Sequence, residues 1–123
     1  MSVDQRWISI IEDEESLRMA LIGFMKSLGY EAKGFESAEA FMDALSDPPP
    51  ACIITDIHMP GLSGIALKDV LNSQNNDTPV IMITGRREQG LRERALATGA
   101  ICFLTKPFAM QDLVTCVERA LMI

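Results

Sequence analysis

Three carboxylates stand where short apolar runs end. Glu12 and Asp13 follow Ile10-Ile11 directly, and Asp56 follows Ile53-Ile54-Thr55. If the two runs are neighbouring strands, about 4.8 Å apart, the three groups must converge. Two like charges about 4 Å apart repel by roughly 4 kcal/mol at an effective dielectric of 20, and a cation offsets that repulsion. Hard oxygen donors, with no cysteine and no histidine cage beside them, select Mg²⁺ over Zn²⁺. Mg²⁺ also keeps positions open for water and phosphate oxygens. Taken without Asp56, Glu12-Asp13 reads equally well as a solvated acidic turn opening a helix. Asp56, at the end of a second run, tips the balance toward a metal site.

Two further run ends supply what a phosphoryl group needs. Thr84 ends Val80-Ile81-Met82-Ile83, and Lys106 follows Phe103-Leu104-Thr105. An ammonium neutralises phosphate oxygen charge, and a hydroxyl donates a hydrogen bond to one of those oxygens. Singly, Thr84 reads as a polar strand end and Lys106 as a surface lysine. Beside a carboxylate and a metal they read as a phosphoryl site centred on Asp56.

The elements that must position these groups alternate along the chain. The apolar runs over 7–11, 51–55, 79–83 and 100–104 are short, β-branched and nearly continuous, the pattern of strands buried on both faces of a parallel sheet. Glu31 to Phe35 is of mixed polarity and suits an edge strand. Between the runs lie amphipathic stretches. Leu17, Leu21, Phe24, Met25 and Leu28 share a helical face, with Gly29 as the stop. Ser37 caps a second helix that buries Phe41 and Leu45, and Pro48-Pro49-Pro50 ends it. A third helix opens near Ser63 and carries Leu67, Val70 and Leu71. A fourth spans about Arg87 to Thr98, with Gly90 inside it at a cost of about 1 kcal/mol relative to Ala. A fifth starts near Phe108 and carries Leu113, Val117 and Leu121. Five β–α units predict an α/β fold with a doubly wound, five-stranded parallel sheet, helices on both faces, and the flavodoxin-like order 2-1-3-4-5. In such sheets the site lies beyond the carboxyl ends of the strands, at the switch point between strands 1 and 3.

With 123 residues the chain is expected to be a single domain over 1–123, large enough for one hydrophobic core. Its net charge of −6 argues against gripping nucleic acid through phosphates. Cys52, Cys102 and Cys116 match no zinc spacing and read as small buried hydrophobes in a reducing compartment. No run reaches the roughly 18 apolar residues of a membrane span, and the leading residues form no signal-peptide pattern. The chain is expected in the cytoplasm, away from membranes.

From about Trp7 to Leu121 the sequence resembles bacterial two-component response-regulator receiver domains. The motifs are the acidic pair Glu12-Asp13, the D-x-x-M-P-x-x-x-G stretch with Asp56, Met59, Pro60 and Gly64, Thr84, and Lys106-Pro107 followed by Phe108. Ile83-Thr84-Gly85, Gly99-Ala100 and the segment 103–108 look most like receivers of nitrogen-fixation-type transcriptional regulators. The resemblance implies that Asp56 takes a phosphoryl group from a sensor histidine kinase or phosphotransfer protein. It implies Mg²⁺ on Asp13, Asp56 and the backbone carbonyl of His58, with Glu12 acting mainly through bound water. Thr84 and Phe103 would be the switch pair, Lys106-Pro107 a cis peptide, and the face of the fourth helix, fifth strand and fifth helix the output, including a homodimer formed on phosphorylation. The implied role is signalling, with no catalysis beyond the domain's own phosphoryl transfer and dephosphorylation.

Some positions depart from that pattern. The first acid is Glu12, where Asp is commoner. His58 and Arg86 sit two residues past Asp56 and Thr84, flanking the path of the hydrolytic water. Arg86, Arg87, Arg92 and Arg94 make the fourth helix region basic in an acidic domain, which reads either as a partner surface or as a solvated face. Two rival readings fit less well. An aspartyl phosphatase of the D-x-D-x-T type needs a second acid where His58 stands. A flavin module needs a phosphate loop where Glu12-Asp13-Glu14-Glu15 would repel one.

Overall fold

The computed structural model describes residues 6–44 and 48–122. Its strands are β1 (Trp7–Ile11), β2 (Glu31–Phe35), β3 (Cys52–Asp56), β4 (Val80–Thr84) and β5 (Cys102–Thr105). Its helices are α1 (Glu15–Ser27), α2 (Ala38–Asp43), α3 (Gly64–Ser73), α4 (Leu91–Ala97) and α5 (Met110–Leu121). The strands form one sheet in the order β2-β1-β3-β4-β5, parallel throughout, as expected.

Alternation along the strands divides the core. Ile8, Ile10, Ile54, Ile81 and Ile83 face one side, where α1 and α5 cover them with Leu21, Met25, Leu113 and Val117. Ile11, Ile53, Val80 and Met82 face the other, under Leu67, Leu71, Leu91 and Ala95 from α3 and α4. β1, β3 and β4 are buried along their whole length, which is why their sequences run apolar without a break. β2 alternates because it is an edge.

Ser37 and Ser63 cap α2 and α3, accepting the N–H groups of Ala40 and Ala66 at 3.0 and 3.1 Å. The Trp7 indole donates to the carbonyl of Pro48 at 2.9 Å, which ties the proline segment to the start of β1. Leu45, expected in the core, lies outside the described residues, as do residues 1–5.

Three expectations need correction. Leu28 is exposed at the end of α1 and does not join the core. Gly90 is not inside α4: the helix starts at Leu91, and Gly90 holds a left-handed φ of 81° at its N-cap, a conformation that favours glycine. Arg86 and Arg87 therefore sit in the loop before the helix. Finally, Cys102 and Cys116 are paired as a disulfide between β5 and α5, leaving Cys52 as the free, buried thiol among the described residues. Spacing in sequence carried no sign of that pairing, which arises because α5 packs back across β5. Burial pushes the Cys52 thiol up to about 12, the behaviour of an inert core sulfur.

Candidate functional site

Strand register brings the acidic groups together. Ile11 pairs with Thr55, so the next residues, Glu12 and Asp56, end level on adjacent strands. Asp56 pairs with Ile83, and Thr84 with Thr105, so Thr84 and Lys106 finish the same edge. Carboxylate oxygens of Glu12, Asp13 and Asp56 lie within 4.8 Å of one another. Asp13 is exposed, while Glu12 and Asp56 are buried at 1% and 5% exposure.

Burial decides the electrostatics. Lys106 Nζ stands 2.9 Å from Asp56 Oδ2 and 3.2 Å from Glu12 Oε1. Burial alone would pull the Lys106 ammonium down, but its hydrogen bond and charge contact with Asp56, together with those from Glu12, outweigh that and raise it. Glu12 is pushed up to about 7. Desolvation is the main cause and the Asp56 charge adds to it, against the opposing pull of the Glu14 N–H and of Lys106. The Glu14 N–H donates to Glu12 Oε2 at 3.1 Å, and Arg18 donates to the Glu12 carbonyl at 2.8 Å. Glu12 is thus fixed at both its backbone and its carboxylate.

The donor set fits Mg²⁺. Three carboxylates converge beside one ammonium, and a dication would balance the negative charge left when all three ligate it in ionised form. Bonds of about 2.0–2.1 Å place opposite ligands about 4 Å apart, so small rotations about side-chain bonds would close the cluster around an ion.

The loop after β3 shapes the acceptor. The His58 N–H donates to Asp56 Oδ1 at 3.1 Å. Gly64 opens α3 so close to this loop that a Cβ there would meet the Asp56 carbonyl oxygen at 2.6 Å. The Lys106–Pro107 peptide is cis, and the Lys106 N–H donates to the Thr84 carbonyl at 2.7 Å.

The sequence-predicted residues meet with one difference. Thr84 is fully buried, and its hydroxyl engages the His58 imidazole (Nδ1, 3.1 Å) and the Arg86 N–H (3.0 Å). The far nitrogen of that imidazole lies 3.0 Å from Glu88 Oε2. Sequence reasoning missed Glu88 and Arg18; the one available hint was a lone acid within Arg86-Arg87-Glu88. Phe103 is half-buried on β5, with the Arg92 guanidinium 5.9 Å from its ring centroid.

Comparison with known proteins decides the family. The model of the response regulator receiver domain matches residues 8–118. The chain belongs to that family. This receiver is 34% identical to the transcriptional regulatory protein FixJ of Bradyrhizobium diazoefficiens over 114 residues, 93% of this chain and 56% of FixJ. It is 32% identical to the response regulator protein TmoT of Ectopseudomonas mendocina over 121 residues, 98% of this chain and 55% of TmoT. The receiver therefore spans about half the length of these relatives. The crystal structure of FixJ-N superposes with a TM-score of 0.88 at 31% identity, covering 98% of this chain and 96% of that one. The response regulator TrrA of Thermotoga maritima, in complex with Mg²⁺-BeF, shares the fold with a TM-score of 0.82 at 22% identity, covering 94% and 99%. The receiver is thus similar to those of nitrogen-fixation-type regulators, and no helix among its described residues is long and apolar enough to cross a membrane.

Proposed function

We propose that this receiver is a phosphorylation-dependent switch of a two-component phosphorelay and that Asp56 is its phosphoacceptor. The observation that carries this is the Lys106 ammonium held between Asp56 and Glu12 at the end of the sheet. Asp56 sits at the end of β3 with its carboxylate gathered beside those of Glu12 and Asp13.

The Asp56 carboxylate attacks the phosphorus of a phosphohistidine on a sensor kinase or phosphotransfer protein. The P–N bond breaks, its electron pair stays on the departing imidazole, and that ring takes up a proton. Lys106, already paired with the carboxylate, follows the charge onto the phosphoryl oxygens. Mg²⁺, held by Asp13, Asp56 and the His58 carbonyl and reached by Glu12 through water, would neutralise charge on the transferring group. Hydrolysis of the acyl phosphate by water restores the Asp56 carboxylate and releases inorganic phosphate. The domain catalyses only these steps on itself.

Thr84 then turns its hydroxyl toward the phosphoryl group, and Phe103 fills the space it leaves. That changes the face made by α4, β5 and α5, where a partner or a second copy of the chain docks. Moving such an equilibrium from 1:99 to 99:1 takes about 5.5 kcal/mol, within reach of a metal, an ion pair and a hydrogen bond together. We place the whole chain, 1–123, in this one domain, acting in the cytoplasm without direct nucleic-acid contact. Treatment with acetyl phosphate and Mg²⁺ should add the mass of one phosphoryl group, absent with EDTA and lost on brief hydroxylamine treatment. A hydroxylamine-stable adduct would refute an acyl phosphate.

A further inference from the structure

The Thr84 hydroxyl has one proton to donate, and the tautomer of the His58 ring beside it decides whether that ring can receive it. Glu88 Oε2 only accepts, so with a neutral imidazole the proton of His58 sits on Nε2, facing Glu88 at 3.0 Å. Nδ1 is then a bare acceptor, and the 3.1 Å contact to Thr84 Oγ1 is a hydrogen bond donated by the threonine. The threonine oxygen in turn accepts the Arg86 N–H at 3.0 Å. Thr84 is fully buried, so water cannot substitute for either partner. Glu88 is itself held by Arg94 of α4 at 3.5 Å and approached by Arg86 at 3.8 Å.

We propose that His58 and Glu88 form a latch that holds the Thr84 hydroxyl away from Asp56 and ties it, through Arg94, to α4. This rests on the reading of Asp56 as phosphoacceptor. A phosphoryl group on Asp56 must compete with His58 for the single Thr84 proton. When it wins, the imidazole loses its partner, and the chain from Thr84 through His58 and Glu88 to Arg94 slackens. The Leu91 N–H also donates to the Glu88 carbonyl at 3.2 Å, so the loop bearing Glu88 is joined to the first residue of α4 by backbone as well as by Arg94. His58 and Glu88 are thus positioning residues that set how readily the receiver switches.

The test is the equilibrium affinity for beryllofluoride with saturating Mg²⁺, measured by calorimetry at pH 8. Glu88→Ala, at a partly exposed position, and His58→Phe, which keeps the ring bulk, should each bind roughly three- to tenfold more tightly than the parent, the scale of one hydrogen bond. Glu88→Gln, which still offers an oxygen to His58, should return most of the way to the parent. The double variant should match the single ones, because one latch is broken in either case. Parent-like affinity in Glu88→Ala and His58→Phe would overturn the latch while leaving the phosphoacceptor intact. So would a Glu88→Gln effect equal to that of Glu88→Ala, since it would reduce the role of Glu88 to its charge. No beryllofluoride binding by any of the proteins would overturn the Asp56 reading, and the latch with it.

Discussion

Lys106 reaches across β4 to touch Asp56: the ammonium at the end of β5 lies 2.9 Å from the carboxylate at the end of β3. It also holds Glu12, at the end of β1, at 3.2 Å. One cation therefore spans three strands' carboxyl ends, and the acidic cluster is compensated only in part. The uncompensated remainder is what a divalent ion would meet.

Metal affinity should depend unequally on the two leading acids. Asp13→Ala, which removes an exposed carboxylate from the cluster, should weaken Mg²⁺ binding at least tenfold by calorimetry. Glu12→Asp should change it by less than about threefold, because the water-bridged role survives a shorter side chain. Undiminished affinity in Asp13→Ala would move the site elsewhere.

Glu12 predicts an unusual pH dependence. Its carboxyl is raised to about 7 in the folded state against a value of 4.5 for the free side chain, so the fold binds this proton more tightly than the unfolded chain does. The resulting stability is full below pH 4.5 and is lost as pH rises through about 7. In EDTA, urea unfolding should show a decline over that window, on the order of a few kcal/mol. Glu12→Gln should flatten it, and saturating Mg²⁺ should restore stability at pH 8. A metal-free protein whose stability rises from pH 5 to pH 8 would contradict this.

Gly64 should tolerate no side chain. Gly64→Ala places a Cβ 2.6 Å from the Asp56 carbonyl oxygen, where the neighbour is backbone and cannot swing aside. Urea unfolding should show a loss of about 1–3 kcal/mol, with weaker beryllofluoride binding as the Asp56 loop shifts. Gly23→Ala, on the open face of α1 with nothing within 4 Å, is the contrast and should be stabilising by up to about 1 kcal/mol.

Output should travel through the loop before α4 and through β5. Hydrogen exchange with and without beryllofluoride should show changed protection across residues 86–108, where Arg92 lies over Phe103. Exposed charges such as Arg87 and Arg92 would contribute about 0–1 kcal/mol each to a partner contact, so they set register more than affinity. Changes confined to the neighbourhood of Asp56 would place the output on another surface.

Much of this was legible in the chain because buried parallel strands leave a plain signature. Ile10-Ile11 and Ile53-Ile54 mark β1 and β3, and whatever follows them lands on one edge, so Glu12 and Asp56 could be paired before any coordinates. Thr84 and Lys106 followed by the same logic. What stayed hidden depends on contacts between elements far apart in sequence. The Cys102–Cys116 pair needs α5 folded over β5. The role of Gly90 needs the true start of α4, which a weak apolar pattern of Leu91, Ala95 and Leu96 could not locate. The His58–Glu88 contact spans two loops with no periodicity to read.

Phosphoacceptance at Asp56 is tested most directly by intact mass after incubation with acetyl phosphate and Mg²⁺, comparing the parent with Asp56→Asn. The parent should gain the mass of one phosphoryl group and the variant none, because asparagine keeps the shape of the side chain but lacks the nucleophilic carboxylate. A gain that persists undiminished in Asp56→Asn would place the phosphoryl group on another residue and contradict the assignment of this site.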